Sequence, residues 1–101
     1  PILSNSQFQK FITYFGNNYK IFDCTFKNGE TLEDALNRLK KETEIAVRQG
    51  ITQIVISDKD ISDDKYPIPT LLSVGAIHTN LVKLGLRGYV SINVQSGPLA
   101  L

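Results

Sequence analysis

Apolar residues recur along this chain with two periods, and the two periods alternate. A spacing of three and four residues places side chains on one face of a helix, and it is found over 8–15, 32–47 and 71–84. Stretches rich in β-branched and aromatic residues favour strands, and they lie at 19–26, 51–57 and 89–95. The pattern therefore predicts the element order α-β-α-β-α-β.

Polar and glycine-containing segments separate these elements and mark the helix ends. Thr31 begins Thr-Leu-Glu-Asp, a variant of the capping box that starts helices. Gly50 and Gly85 follow the second and third helices, where a left-handed residue commonly ends a helix. Pro69 suits a first helical turn, and we expect residues 58–67 to form a polar loop.

The order of elements also predicts how the strands pair. Two consecutive β-α-β units favour right-handed crossovers and parallel strands, and the Ile54-Val55-Ile56 run favours a strand buried on both faces. Three strands leave two bare edges, and nothing after Gln95 predicts a fourth. We therefore expect residues 1–101 to form a single partial α/β domain, a piece of a larger layer or barrel. The absence of methionine at position 1 fits a chain that begins inside a longer one.

Composition narrows the class of protein without assigning a function. The chain has 101 residues, with 42% hydrophobic residues and a formal net charge of +1, which is typical of an ordinary globular protein. This balance disfavours a nucleic-acid binder, and no apolar run approaches the ~18–20 residues of a membrane helix. The single cysteine cannot form an internal disulfide framework.

Acidic residues cluster after the second predicted strand: Asp58, Asp60, Asp63 and Asp64, with Asp23 in the first strand. Ligands of parallel sheets bind beyond the carboxyl ends of the strands, so a magnesium or phospho-acceptor site is one interpretation. The calcium-loop pattern fails, because its sixth position is Asp63 instead of glycine. A solvated loop is the interpretation we favour.

His78 and Cys24 are potentially reactive side chains, but their neighbours in the sequence do not favour a catalytic or metal-binding role. His78 has no histidine or cysteine partner at metal-ligand spacing, so we expect a hydrogen-bonded structural histidine. Cys24 lies between Asp23 and Thr25, with no cationic neighbour to stabilise a thiolate, so we expect a small, partly buried thiol.

Four short motifs follow one another in a fixed order: Ser57-Asp58, Pro67-Ile68-Pro69, Gly75-Ala76-Ile77-His78 and Gly85-Leu86-Arg87. They lie within or beside longer segments at 21–26, 31–39, 44–50, 54–59, 67–78 and 84–87. In this combination they resemble the central domain of glutamate synthase over about residues 19–97. The ferredoxin-dependent form of plastids and cyanobacteria looks nearest. Residues 1–18 match loosely, and the tail 98–101 is not matched.

The resemblance implies a fold that is a reduced relative of the β/α barrel, within an enzyme that makes glutamate from glutamine-derived ammonia and 2-oxoglutarate. It implies an amidotransferase domain, an ammonia tunnel, an FMN-binding barrel, a 3Fe-4S cluster and ferredoxin as electron donor, in the plastid stroma or the bacterial cytoplasm. This segment would be a scaffold that joins the two catalytic domains beside the tunnel. The resemblance carries no catalytic, cofactor-binding or metal-binding residue onto this chain.

Two other functions remain open from the residues themselves. One is a receiver-like or small-ligand module that binds magnesium through Asp23, Asp58 and Asp60. The other, which the sequence supports less, is an interaction domain that uses its bare sheet edges.

Overall fold

The computed structural model describes residues 2–15, 18–58 and 64–95, with backbone alone for 11–15. Within these ranges the α-helices are α1 (Asn5–Phe15), α2 (Leu32–Arg48) and α3 (Thr70–Lys83). The strands are β1 (Ile2–Leu3), β2 (Tyr19–Asp23), β3 (Thr25–Lys27), β4 (Gln53–Ser57), β5 (Lys65–Pro67) and β6 (Ser91–Gln95). The three predicted helices are thus confirmed.

The main sheet has the strand order β1-β6-β4-β2, and all its pairs are parallel. Phe22 lies opposite Ile56, and Ile56 lies opposite Val94, so the central strand β4 is paired on both sides. The predicted α/β class with parallel strands is confirmed. The fourth strand, β1, was not predicted, because two residues are too few to show a period.

The prediction of one strand over 19–26 was wrong, and the predicted loop over 58–67 was wrong at Lys65–Pro67, which form β5, while its residues 59–63 lie outside the described residues. The first strand leaves the main sheet at Cys24, and β3 pairs instead with β5 as a small antiparallel sheet. Phe26 and Tyr66 lie opposite each other in this pair, with ring centroids 5.7 Å apart. A cross-strand aromatic pair stabilises such a short ladder. The third strand also begins later than expected, because Arg87–Tyr89 forms a 3-10 helix.

Helices α2 and α3 pack on one face of the main sheet and against each other. The buried core between them and the sheet contains Phe22, Cys24, Ala35, Leu39, Ala46, Val47, Ile54, Ile56, Ile68, Ile77, Leu81, Val90 and Ile92. Burying one large aliphatic side chain contributes about 1.5–3 kcal/mol, so this layer supplies much of the folding free energy.

Helix α1 lies against the opposite face of the sheet. Its buried Phe8 packs edge-on against Tyr19 of β2. Tyr19 and Phe22 are three residues apart on this strand, so their side chains lie on opposite faces of the sheet. The crossover direction explains this difference. The chain steps from β2 to β4 to β6 in one direction but crosses from β1 to β2 in the other, and right-handed connections then require opposite faces.

The described sheet is open, with β1 at one edge and β2 at the other. The barrel-like layer therefore stays a prediction. In the described part of the chain no helix has both the length and the apolar composition needed to cross a bilayer.

The predicted helix ends at Thr31, Gly50 and Gly85 are confirmed, whereas Pro69 lies just before α3 as its N-cap and not in the first helical turn. Thr31 Oγ1 accepts a hydrogen bond of 3.0 Å from the backbone N–H of Asp34, as expected for a cap. Gly50 and Gly85 have φ of +99° and +74°, and each ends its helix in a Schellman motif. Both helices therefore end by the same device.

Candidate functional site at the carboxyl edge of the sheet

The carboxyl ends of the parallel strands meet where an α/β sheet normally binds its ligand. Asp23 of β2 lies opposite Ser57 of β4, and Ser57 lies opposite Gln95 of β6. Ser57 and Gln95 are buried, and Asp23 is partly buried. This row of polar side chains is the strongest candidate site that the topology offers.

Both carboxylate oxygens of Asp23 are already engaged. The hydroxyl of Thr25 donates a hydrogen bond of 2.6 Å to Oδ1, and Lys65 Nζ lies 3.5 Å from Oδ2. Lys65 belongs to β5, so the ion pair ties the end of β2 to the small antiparallel sheet. Asp23 therefore holds two parts of the fold together, which leaves less of its carboxylate for a metal ion.

The small sheet covers the carboxyl edge through backbone contacts at Cys24. The N–H of Cys24 donates to the carbonyl of Ser57 at 2.8 Å, and the N–H of Ile68 donates to the carbonyl of Cys24 at 2.8 Å. On the other side, Arg38 of α2 donates to the carbonyl of Thr25 at 2.6 Å. Beside β2 and β4, the edge is thus contacted by the chain's own backbone.

The side chain of Cys24 is buried, more completely than the predicted partial burial. Its thiol donates to the carbonyl of Ile68 at 3.3 Å, and its sulfur forms a 2.8 Å hydrogen bond with the hydroxyl of Ser73 on α3. Burial raises the pKa of the Cys24 thiol above its usual 9.0, and the charges of Asp58 and Asp23 raise it further. The hydrogen bond from Ser73 and the more distant Arg38 lower this pKa less than burial raises it. A buried neutral thiol is a poor nucleophile.

The acidic cluster is only partly described. Asp58 is half-buried just after β4, and the backbone carbonyl of exposed Asp64 accepts a hydrogen bond from Asn28. Asp60 and Asp63 lie outside the described residues. Among the residues that the structure describes, no three histidine, cysteine, aspartate or glutamate side chains converge as a metal site. Of the three residues in the magnesium-binding alternative, the structure therefore describes only Asp23 and Asp58.

His78 is an exposed, hydrogen-bonded histidine. Its Nδ1 accepts a 2.9 Å hydrogen bond from Arg87 Nε, so we assign the ring proton to Nε2. A second nitrogen of Arg87 donates to the carbonyl of Val90 at 2.6 Å. The motifs that end in His78 and Arg87 thus meet in space and link α3 to the start of β6. Sequence reasoning expected the hydrogen bond but missed the partner.

One groove on the described surface lies elsewhere, between the outer sides of α2 and α3. Its volume is 480 Å³, and its walls include Leu36 of α2 and Leu72, Gly75 and Ala76 of α3. A second groove of 480 Å³ lies beside Gly50, at the amino ends of the strands. Neither groove contains a cluster of titratable side chains that suggests catalysis.

The residues present do not fit an iron-sulfur cluster. A 3Fe-4S cluster is held by cysteine thiolates, and this chain has one cysteine, which is buried in the core. No step of a redox reaction is assigned to this segment.

The fold and its carboxyl edge define an α/β domain in which a small antiparallel sheet of the same chain lies against the carboxyl ends of β2 and β4. A family model described as the glutamate synthase central domain matches residues 1–100, and the chain belongs to this family.

Individual relatives are large enzymes of which this chain matches a small part. A glutamate synthase [NADPH] large chain from Azospirillum brasilense is 36% identical over 99 residues, which cover 95% of this chain and 6% of that protein. The corresponding protein of Bacillus subtilis (strain 168) is 38% identical over 96% of this chain and 6% of its own length. The ferredoxin-dependent chloroplastic glutamate synthase of Spinacia oleracea is 44% identical over 65% of this chain and 4% of its own length. The chain therefore spans about one-sixteenth of the first two relatives.

Proposed function

We propose that this chain is a scaffold segment of a glutamate synthase, which holds the amidotransferase and FMN-binding domains in fixed positions beside the ammonia tunnel. The carboxyl edge carries the proposal. Where a parallel sheet would offer a ligand site, this chain places its own antiparallel sheet and uses Asp23 in an internal ion pair. The segment therefore contributes shape and no catalytic residue.

The contacts around that edge suit a rigid spacer. The hydrogen bond between Cys24 and Ser73 is buried, and the contact from Arg38 to the Thr25 carbonyl is partly buried. Satisfied polar contacts in a low-dielectric interior favour one arrangement of the groups they join. Such an arrangement suits a part that must keep two distant active sites aligned, because small misplacements lower rates strongly.

The proposal places FMN and the 3Fe-4S cluster on other domains of the parent protein, in the plastid stroma or the bacterial cytoplasm. Ferredoxin is the proposed electron donor. The 44% identity to the spinach ferredoxin-dependent form supports this choice. The longer matches to relatives named for NADPH support the alternative donor.

The scaffold role is tested by ammonia transfer in a full-length glutamate synthase that carries this segment. Ile56→Val and Leu39→Ala alter side chains in the core and should cost about 0.5–1.5 and 2–5 kcal/mol. We expect fewer glutamate molecules per glutamine hydrolysed, in the order of these losses, with free ammonia appearing in solution. Glutamate formation from added ammonia should change less.

Exposed Lys41 on α2 provides the control, since Lys41→Ala should keep the wild-type ratio of glutamate to hydrolysed glutamine. The scaffold role is contradicted if both core variants fold, lose stability and still transfer ammonia as completely as the wild type.

The magnesium-binding alternative has its own test. Once a dispersed amide spectrum shows that the 101-residue chain folds, magnesium is titrated while the backbone signals are followed. The scaffold proposal expects no saturable shift at Asp23 or Asp58. A saturable shift there would restore the ligand-binding module.

A further inference from the structure

The outer face of α3 is unusually apolar for a surface helix. Leu71, Leu72 and Val82 are 88%, 46% and 54% exposed. The helix contains no acidic residue, and Lys83 and His78 are its titratable side chains. When a helix is apolar on both its inner and its outer face, both faces are usually buried in the complete protein. Such a patch on a described surface marks an interaction site.

The groove beside this face has one charged end. Lys40 and Lys83 lie near the end where the Asn80 amide donates to the carbonyl of Lys40 at 3.4 Å. No acidic residue lines the groove, and neither lysine forms an ion pair with another described residue. The groove is thus apolar near Leu71 and Leu72 and positively charged near Lys40 and Lys83.

Gly75, in the middle of α3, has no explanation within this chain. A Cβ placed there meets no atom within 4 Å, so the internal packing does not require glycine. Glycine inside a helix costs about 0.5–1 kcal/mol relative to alanine. A missing side chain in a groove lets another backbone approach closely.

We propose that this groove is the docking surface for an apolar segment of the same parent polypeptide, outside these 101 residues, which also carries a carboxylate that meets Lys40 and Lys83. The inference rests on the proposed function, because it takes the partner from the parent protein. This chain matches 6% of its relatives' length, so most of the protein available to cover α3 is the rest of that polypeptide. A two-fold pairing of the groove with itself would instead bring lysines together.

The test uses a full-length glutamate synthase that carries this segment. An amine-reactive label should modify Lys83 at least about tenfold more slowly than Lys41, although both are exposed on this segment, the ratio for a docked state favoured by ~1.4 kcal/mol. A zero-length carbodiimide cross-linker should join Lys40 or Lys83 to an aspartate or glutamate elsewhere in the same polypeptide. Mixing ¹⁵N-labelled and unlabelled protein before cross-linking separates links within one chain from links between two.

Two variants confirm that the groove causes the protection. Leu71→Asp and Gly75→Gln change exposed positions, so this segment should still fold, but they place a charge or extra atoms in the groove. We expect both to raise the labelling rate of Lys83 toward that of Lys41. Asn28→Asp, in the exposed turn before α2, makes the same charge change as Leu71→Asp away from the groove and from Lys41, and should leave the protection unchanged.

Equal labelling of Lys83 and Lys41 without a cross-link would overturn the inference, and so would a cross-link only between two copies of the protein. These readouts do not depend on ammonia transfer. A failure here therefore leaves the scaffold role standing, whereas normal ammonia transfer in the core variants would remove the scaffold role and leave the docking result intact.

Discussion

Helices α2 and α3 cover the same face of one sheet and end in the same glycine motif, but they begin in different ways. The start of α2 is held locally by Thr31, which accepts from the N–H of Asp34. The start of α3 has no side-chain cap and is held by distant groups. The N–H of Ile68 donates to the carbonyl of Cys24, whose sulfur contacts Ser73.

Their outer faces differ as well. On α2, Arg38 pairs with Glu42 and Arg48 pairs with Glu44, which is the usual pattern of a helix in water. On α3, the corresponding surface exposes leucines. The difference teaches that α2 can be explained from its own sequence, whereas α3 depends on the rest of the fold inside and on a neighbour outside.

The largest expected effect is the difference in unfolding free energy lost by substitutions on the inner and on the outer face of α3. Leu81→Ala removes a fully buried side chain and should lower the free energy of unfolding of the 101-residue chain by about 2–5 kcal/mol. Leu39→Ala on α2 should cost a similar amount. Leu71→Ala should stay within about 0.5 kcal/mol, because this side chain is exposed. Urea unfolding measures all three, and a Leu71→Ala loss as large as that of Leu81→Ala would contradict the assigned faces.

Glycine substitutions in α3 should change stability in opposite directions. Gly85→Ala places a Cβ at φ +74° and should destabilise the chain by about 1–2 kcal/mol. Gly75→Ala lies in open space within a helix and should stabilise it by up to about 1 kcal/mol. Thermal unfolding of the two variants checks the signs. A loss of stability in Gly75→Ala would mean that the fold itself needs this glycine.

The two helix starts should respond differently to loss of a hydroxyl. Thr31→Ala removes the cap at a cost of about 1 kcal/mol, and Thr31→Ser should restore most of it. Ser73→Ala removes the contact with Cys24 at a cost of about 1 kcal/mol. Hydrogen exchange should speed up in the first turn of α2 alone for Thr31→Ala, but in both α3 and the β3–β5 sheet for Ser73→Ala. Identical hydrogen-exchange patterns in Thr31→Ala and Ser73→Ala would contradict the claim that α2 is held locally at its start and α3 by distant groups.

The smallest expected effect is a pH dependence at Cys24. Burial raises the pKa of this thiol in the folded state above the usual 9.0 that it has in the unfolded chain. The stability it contributes is therefore complete below the unfolded pKa and falls as pH rises toward the folded pKa. Urea midpoints at about pH 7 and about pH 10 should differ more in the wild type than in Cys24→Ala. An equal difference in both proteins would show that the thiol does not report on this junction.

The same contrast explains what could be predicted from the sequence. The helix α2 carries a long apolar period and a local cap, and β4 carries a continuous apolar run, so both were predicted correctly. Strands β1, β3 and β5 have two or three residues each and exist because partner strands hold them. Their pairing is a tertiary property that no short sequence pattern records.

The candidate site divides in the same way. Burial of Cys24, at least in part, and a hydrogen bond at His78 follow from local residue types, and both were predicted. The partners did not follow, because Ser73 lies 49 residues from Cys24 and Lys65 belongs to a strand that was not predicted. Sequence could therefore name the groups at the carboxyl edge but could not show that β3 and β5 lie against the ends of β2 and β4.

The claim that this segment holds no chemistry is tested most directly by replacing Asp23 and Asp58 together with asparagine in a full-length glutamate synthase. The account predicts that glutamine hydrolysis, FMN content and glutamate formation from added ammonia each stay within about twofold of the wild type, since twofold corresponds to only about 0.4 kcal/mol. Loss of glutamine hydrolysis or of glutamate formation in a folded variant that keeps its FMN would contradict the account, because an acidic side chain of this segment would then take part in the reaction.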